Sequence, residues 1–173
     1  ASLSGLSSLD LITGQLSISS NSNLTDLTGL NSLISIGGAL EIGGNDNLIN
    51  LIGLNSLLNF KGSLFINSNQ MLTSLEGLSP DSILQSVYIT HNTSLVNLDV
   101  LENVEYIFGN IDIANNDALS NLNGFNRLLS TYGSILINEN DILTDISGLL
   151  QLTAIGGSLV VNNNSALTNL YGL

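Results

Sequence analysis

The sequence predicts an all-β fold, a right-handed β-solenoid of about seven coils of 24 residues each. An asparagine recurs at intervals of 24, 24, 23, 24, 24 and 24 residues, at Asn21, Asn45, Asn69, Asn92, Asn116, Asn140 and Asn164. Apolar residues and glycines recur with the same period, as in 33–54 (LISIGGALEIGGNDNLINLIGL) and 152–173 (LTAIGGSLVVNNNSALTNLYGL). Self-similarity at a period of about 20 to 50 residues is typical of solenoids, in which stacked coils bury one continuous core.

Each repeat is predicted to contain one short strand. Leu40 and Ile42 are separated by one residue, so their side chains point to the same face of an extended chain, and the same pair recurs in every repeat. The remaining apolar positions, such as Leu48, Leu51 and Leu54, lack the mixed three-and-four spacing of an amphipathic helix. Glycine and asparagine recur among them, and both are poor helix formers. A coil of short extended stretches joined by sharp corners therefore fits better than a helix.

The recurrent asparagine is predicted to stabilise a tight corner in every coil. Backbone N–H and C=O groups turn inward at such a corner and need hydrogen-bond partners. Stacked asparagine amides, with two donors and one acceptor oxygen each, satisfy these groups and one another. Two glycine columns are interpreted as positions that need a positive φ or a close approach of the backbone. These columns are Gly14, Gly38, Gly62, Gly109, Gly133 and Gly157, and Gly5, Gly29, Gly53, Gly77, Gly124, Gly148 and Gly172.

One repeat departs from the pattern. The stretch 75–92 (LEGLSPDSILQSVYITHN) is one residue short, contains the only proline, Pro80, and has Gln85 where a glycine is expected. We expect a local bulge or loop there. Thr131 replaces an apolar residue in the sixth coil, and we interpret it as a smaller defect.

The composition excludes several classes of partner. Two Lys and Arg residues oppose fourteen Asp and Glu residues, and the net charge of −12 repels nucleic-acid phosphates and anionic lipid headgroups. Polar residues interrupt every apolar run, so we expect no membrane insertion by this segment. The chain has no cysteine and hence no disulfide or thiolate metal site.

We expect no catalytic residue, no metal site and no cofactor. His91 is the only histidine, and no cysteine or second histidine can partner it in nucleophilic or metal chemistry. Glu139, Asp141 and Asp145 lie close together in the sequence, and we interpret them as solvated turn residues. Calcium binding by these carboxylates is the alternative.

N-glycosylation sequons begin at Asn23, Asn92 and Asn163. Asn92 belongs to the inward asparagine column, which argues against its modification. Asn23 and Asn163 lie beside that column, and we regard them as possible glycosylation sites in a source that glycosylates its proteins.

The outward face of the strands is the candidate contact surface. Its middle positions read Ser, Glu, Phe, Tyr, Asp, Leu and Val from the first coil to the last, which places Phe65 beside Tyr88 and Leu136 beside Val160. Adjacent apolar pairs that point away from a core often mark a binding surface. The alternative interpretation is that these residues are simply good strand formers.

The repeat resembles two related families. The stretch GALEIGGNDNL is similar to the leucine-rich repeat, although its next leucine follows three residues after the asparagine and glycine replaces the first leucine. The consensus LxxIGGxLxIxxNxxLxxLxGL resembles receptor L-domains more closely, over essentially the whole chain. This resemblance implies a non-catalytic protein that is extracellular or anchored at the cell surface. The cysteines and helical caps of growth-factor-receptor members are not found, so the resemblance transfers no ligand-binding residue.

We interpret residues 1–173 as a single solenoid domain, either part of a longer chain or a unit of an end-to-end assembly. Neither terminal coil shows a polar cap, and uncovered strand edges favour pairing with another chain. The expected function is structural, as a building unit of a fibre, stalk or adhesin that self-associates end to end or laterally. The alternative is a receptor-like ectodomain that recognises a protein or glycan on its strand face.

Overall fold

The computed structural model describes residues 3–80 and 85–173. Its strands are all parallel and stack as a β-solenoid, which confirms the predicted architecture. The strands are β1 (Leu11–Ile12), β2 (Leu16–Ser19), β3 (Ser35–Ile36), β4 (Leu40–Gly43), β5 (Asn59–Phe60), β6 (Leu64–Asn67), β7 (Val87–Thr90), β8 (Tyr106–Ile107), β9 (Ile111–Ala114), β10 (Ser130–Thr131), β11 (Ile135–Asn138), β12 (Ala154–Ile155) and β13 (Leu159–Asn162). Short 3-10 helices cover Ser4–Leu6, Asp99–Leu101, Asn123–Phe125 and Ser147–Leu149.

The seven four-residue strands form one long sheet in chain order, β2-β4-β6-β7-β9-β11-β13. Two shorter sheets, β1-β3-β5 and β8-β10-β12, lie on a neighbouring side of the coils. In the described part of the chain, no helix is long or apolar enough to cross a membrane.

The register of the long sheet places like residues over like residues. Leu40 pairs with Leu64 and Ile42 with Ile66, which are 24 residues apart. Leu64 then pairs with Val87 at an offset of 23, so the short repeat has already been compensated before β7 begins. The loop that we predicted in this repeat falls mainly on residues 81–84, which lie outside the described residues.

The core is a set of apolar columns that run along the stack. The inward strand residues and the three leucines that follow each corner are almost completely buried in the interior coils. Examples are Leu40, Ile42, Leu48, Leu51 and Leu54, which have no exposed surface. Burial of one such side chain stabilises the fold by about 1.5–3 kcal/mol. Thr131, the expected defect, is also buried, and its hydroxyl donates to the Gly133 carbonyl at 3.2 Å.

The asparagines of the repeat form a continuous hydrogen-bonded stack, which we name the asparagine ladder. The Asn69 side-chain amide donates to Ile42 O in the preceding coil at 3.0 Å, to Asn67 O at 3.1 Å and to Asn92 Oδ1 at 3.2 Å. Its backbone N–H also donates to Asn92 Oδ1, at 3.1 Å. The same four contacts recur at Asn45, Asn92, Asn116 and Asn140.

The ladder members differ in burial along the stack. Six of them are buried, at positions 45, 69, 92, 116, 140 and 164. Asn21 differs from the expected inward column, because its side chain is exposed and donates only to Ser19 O, at 3.0 Å. Its backbone N–H still donates to Asn45 Oδ1, at 3.1 Å. The six buried members therefore form the enclosed part of the ladder.

The glycine columns serve two different purposes. In the first column the requirement is close approach, since a Cβ at Gly62 would lie 2.5 Å from Ala39 N. In the second column Gly53 and Gly77 also have φ values of +117° and +110°, which side-chain-bearing residues rarely adopt. At the end of the stack, a Cβ at Gly14 would have no neighbour within 4 Å.

A third column with positive φ lies one residue before the ladder and was not foreseen. It contains Ser20, Gly44, Ser68, His91, Asn115, Glu139 and Asn163, with φ between 52° and 64°. Six of the seven carry side chains, so this conformation costs on the order of 1 kcal/mol at each. The ladder hydrogen bonds that follow immediately offset this cost.

The opposite corner of each coil uses a second side-chain hydrogen bond. A side-chain oxygen accepts from the backbone N–H two residues later, as in Asn50 Oδ1 with Ile52 N at 3.1 Å and Asp145 Oδ1 with Ser147 N at 2.7 Å. The acceptors are Asp26, Asn50, Ser74, Asn97, Asn121, Asp145 and Asn169, one for each repeat. Such turns suit Asp, Asn and Ser because their short side chains reach the backbone.

Replacing a central ladder residue is expected to destabilise the whole stack. Asn116→Ala leaves the backbone N–H and side-chain amide of Asn92 without Asn116 Oδ1, and leaves Ile89 O and Ala114 O without a donor. Buried polar groups without partners cost about 1–3 kcal/mol each, so we expect the free energy of unfolding to fall by about 3 kcal/mol. Urea denaturation measures the difference.

The matched control is Asn31→Ala, at an exposed asparagine outside the ladder. We expect it to change the free energy of unfolding by less than about 0.5 kcal/mol. Equal losses for the two variants would contradict a special role for the ladder.

Candidate functional site

The outer face of the long sheet is a continuous surface with one residue from each coil in its middle column. Strand pairing aligns these residues in the order Ser17, Glu41, Phe65, Tyr88, Asp112, Leu136 and Val160. Neighbouring parallel strands lie about 4.8 Å apart, so the column spans roughly 30 Å. We name this surface the strand face.

Phe65 and Tyr88 form a face-to-face aromatic pair at the centre of the strand face. Their ring centroids are 4.9 Å apart, and the ring planes differ by 2°. Both side chains are half buried because each ring covers the other. The pair presents its ring edges to solvent, and it is more rigid than two isolated rings would be.

Asp112 lies between Tyr88 and Leu136 in the same column. It is half buried, and its Oδ1 atom is buried without a hydrogen-bond partner. The next strand contributes Asn138, whose Oδ1 is also buried without a partner. The strand face therefore contains two carbonyl-type oxygens whose capacity to accept hydrogen bonds is unused within the chain.

Burial governs the electrostatics of Asp112. Desolvation raises the pKa of its carboxyl above the ordinary value of 3.8, and the nearby charge of His91 offsets part of that rise. The apolar neighbours Tyr88 and Leu136 explain the desolvation. A ligand that brings a positive charge or a hydrogen-bond donor to this carboxylate would relieve its unfavourable surroundings.

The second apolar pair continues the strand face toward the last coil. Leu136 is half buried, and Val160 is 36% exposed. Strand pairing places the two residues side by side, on the opposite side of Asp112 from the aromatic pair. The four candidate contact residues thus form two apolar patches with a carboxylate between them.

The two candidate glycosylation residues, Asn23 and Asn163, are both exposed. The third sequon asparagine, Asn92, is buried in the ladder with no exposed surface. Glycosylation at Asn23 or Asn163 stays a prediction.

The residues that we considered for metal binding or catalysis lie apart. Among the residues that the structure describes, no group of three or more His, Cys, Asp or Glu side chains is close enough to hold a metal ion. His91 and Glu139 both occupy the positive-φ column, and Asp145 Oδ1 accepts a hydrogen bond from Ser147 N.

A second aromatic cluster was missed in the sequence. Phe108 and Tyr132 stack with centroids 4.9 Å apart at an interplanar angle of 17°, beside the short sheet β8-β10-β12. Both rings are exposed, and Tyr106 on β8 is exposed as well. The available signal was the 24-residue separation of Phe108 and Tyr132, which places them at the same position of successive repeats.

Comparisons with protein-family models, with curated proteins and with solved structures each found no match.

The pH dependence of stability is expected to change when Asp112 is neutralised. Because its pKa is raised in the folded state, ionised Asp112 opposes folding at neutral pH, and protonation removes this penalty as the pH falls. Asp112→Asn is therefore expected to be more stable than the native protein at pH 7. This advantage should shrink as the pH is lowered through the pKa of Asp112.

Urea denaturation at several values between pH 4 and pH 7 measures this difference. Asp141→Asn, at an exposed aspartate, is the control and is expected to have little effect. A difference between Asp112→Asn and the native protein that is the same at every pH would refute this account.

Proposed function

We propose that this chain is a non-catalytic repeat scaffold whose strand face binds another protein. The observation that carries the proposal is the arrangement Phe65–Tyr88, Asp112, Leu136–Val160 on one sheet. Apolar patches on either side of an unpartnered acceptor match the general make-up of protein interfaces, in which apolar contacts supply affinity and polar groups supply specificity.

The shape of the strand face favours a protein as its partner. A parallel sheet about 30 Å wide offers a broad surface, whereas small-molecule sites are concave. The acidic side chains of its middle column are Glu41 and Asp112, and the chain as a whole carries a net charge of −12. The partner is therefore expected to place a basic side chain opposite Asp112 and to bind more weakly as ionic strength rises.

The proposal includes a kinship and a location. The solenoid architecture and the repeat consensus support a relation to receptor L-domains, and that relation favours an extracellular or surface-anchored protein. The alternative kinship is with leucine-rich repeats. Both families use the outer surface of stacked coils, so the strand face is the expected binding surface in either case.

The experiment compares proteins captured by native and variant chains from extracts of the source organism, with quantitative mass spectrometry as the readout. Two variants alter the strand face, Phe65→Ser/Tyr88→Ser and Asp112→Lys. Both are expected to reduce capture of the specific partner by about tenfold or more, which corresponds to about 1.4 kcal/mol. Circular dichroism verifies that each variant is folded.

The control is Ile49→Ser/Val96→Ser, which removes two apolar side chains that are equally exposed but lie outside the strand face. It is expected to retain capture. Unchanged capture by both strand-face variants would show that the strand face is only structural.

A structural role in a fibre, stalk or adhesin is the second candidate. It is favoured by the apolar surface of the last coil, where Leu159, Leu170 and Leu173 are exposed and an open cleft of about 280 Å³ lies against Leu149 and Leu152. A further coil in register, from the same chain or another, would bury this surface. Negative-stain microscopy over a range of concentrations tests the candidate: linear polymers are expected, and monodisperse particles at every concentration would reject it.

A further inference from the structure

The stacked rings of Phe108 and Tyr132 leave one aromatic face open. By the register of β10 and β12, the position that follows Tyr132 in the next coil is Gly156. A Cβ at Gly156 would lie 2.2 Å from Tyr132 O and 2.6 Å from Tyr132 C, so no side chain fits there. The outer face of the Tyr132 ring is therefore uncovered, and the residue is 62% exposed.

An open cleft of about 280 Å³ lies beside this ring. Its lining consists of Tyr132 with Ser130, Thr131, Ala154, Ile155 and Gly156. None of these residues carries a charge. The cleft thus combines a flat aromatic wall with small residues and hydroxyl groups, and it has room for one ring of a ligand.

A polar cleft of similar size continues the same surface. It is lined by Glu105, Asn126, Arg127, Leu129 and Gln151, and Leu129 directly precedes Ser130 of the aromatic cleft. Arg127 is one of only two basic residues in the chain, and it donates to Glu105 Oε1 at 2.8 Å. Planar amide, carboxylate and guanidinium groups are therefore concentrated next to the exposed aromatic rings.

We propose that the aromatic cleft beside Tyr132 and the polar cleft beside Arg127 together bind a neutral oligosaccharide. The C–H groups on one face of a pyranose ring are apolar and weakly positive, so they stack on the electron-rich face of an aromatic ring. Vicinal hydroxyl groups of the adjoining sugar donate to and accept from planar side chains in pairs. Two adjacent clefts suit two consecutive sugar units.

The charge of the chain narrows the ligand class. A net charge of −12 repels sulfated and sialylated glycans, and Arg127 is already neutralised by its ion pair with Glu105. The ligand is therefore an uncharged glycan. This site is separate from the strand face, so the inference does not rest on the protein-binding function proposed above.

The test is an array of neutral, sialylated and sulfated glycans, followed by calorimetric titration of the neutral glycan that binds best. Tyr132→Ala is expected to weaken binding about tenfold. Tyr132→Phe preserves the aromatic face and is expected to retain binding. Arg127→Ala, which removes the planar group of the polar cleft, is also expected to weaken it.

Two controls separate this site from the other exposed aromatic residues. Tyr171→Ala removes an exposed tyrosine elsewhere in the last coil, and Phe65→Ser/Tyr88→Ser alters the strand face; both are expected to bind the glycan as the native protein does. Binding of no neutral glycan overturns the proposal, as does full binding by Tyr132→Ala. Binding of a proline-rich peptide in place of any glycan would also overturn it.

Discussion

The hydrogen bond between the asparagine side chains of successive coils is the interaction on which the rest of this structure depends. Each ladder amide reaches backbone carbonyls in its own coil and the preceding one, while its oxygen accepts from the preceding ladder residue. A shift of one residue between coils would break all of these contacts together. The ladder therefore imposes the register that stacks the apolar columns and aligns the strands.

This constraint separates the inside of the solenoid from its outside. Inward positions repeat because each must match the coil above and the coil below, whereas outward positions contact mainly their own neighbours on the sheet. The middle column of the strand face consequently changes from Ser17 to Tyr88 to Val160 without disturbing the core. Specific binding surfaces can arise only where the repeat permits such variation, which is why both of our binding proposals concern outward residues.

The architecture was predictable because its main features recur at one spacing. The period of the asparagines and the Leu–x–Ile step led directly to stacked parallel strands, and the 23-residue step changed only the irregular repeat. The positive-φ column was not predictable, because Ser20, His91 and Glu139 share no chemistry that marks this backbone conformation. The second corner escaped notice for a similar reason, since Asp, Asn and Ser all supply its acceptor.

The outer surface was only partly predictable. Alternation along a strand indicates which side chains point outward, so the pairing of Phe65 with Tyr88 follows from the period alone. The buried oxygens of Asp112 and Asn138 depend on how neighbouring side chains cover them, which spacing does not reveal. The open face of Tyr132 depends on a glycine in the next coil, a relation between residues that becomes meaningful only when the register is known.

Hydrogen exchange of the asparagine side-chain amides, followed by NMR, tests the ladder most directly. The side-chain amide protons of Asn45, Asn69, Asn92, Asn116 and Asn140 are predicted to exchange as slowly as the backbone amides of the long sheet, because only global opening frees them. Exposed side chains such as Asn31 should exchange within the first spectrum. Rapid exchange of the interior ladder amides, at the rate of Asn31, would contradict the account.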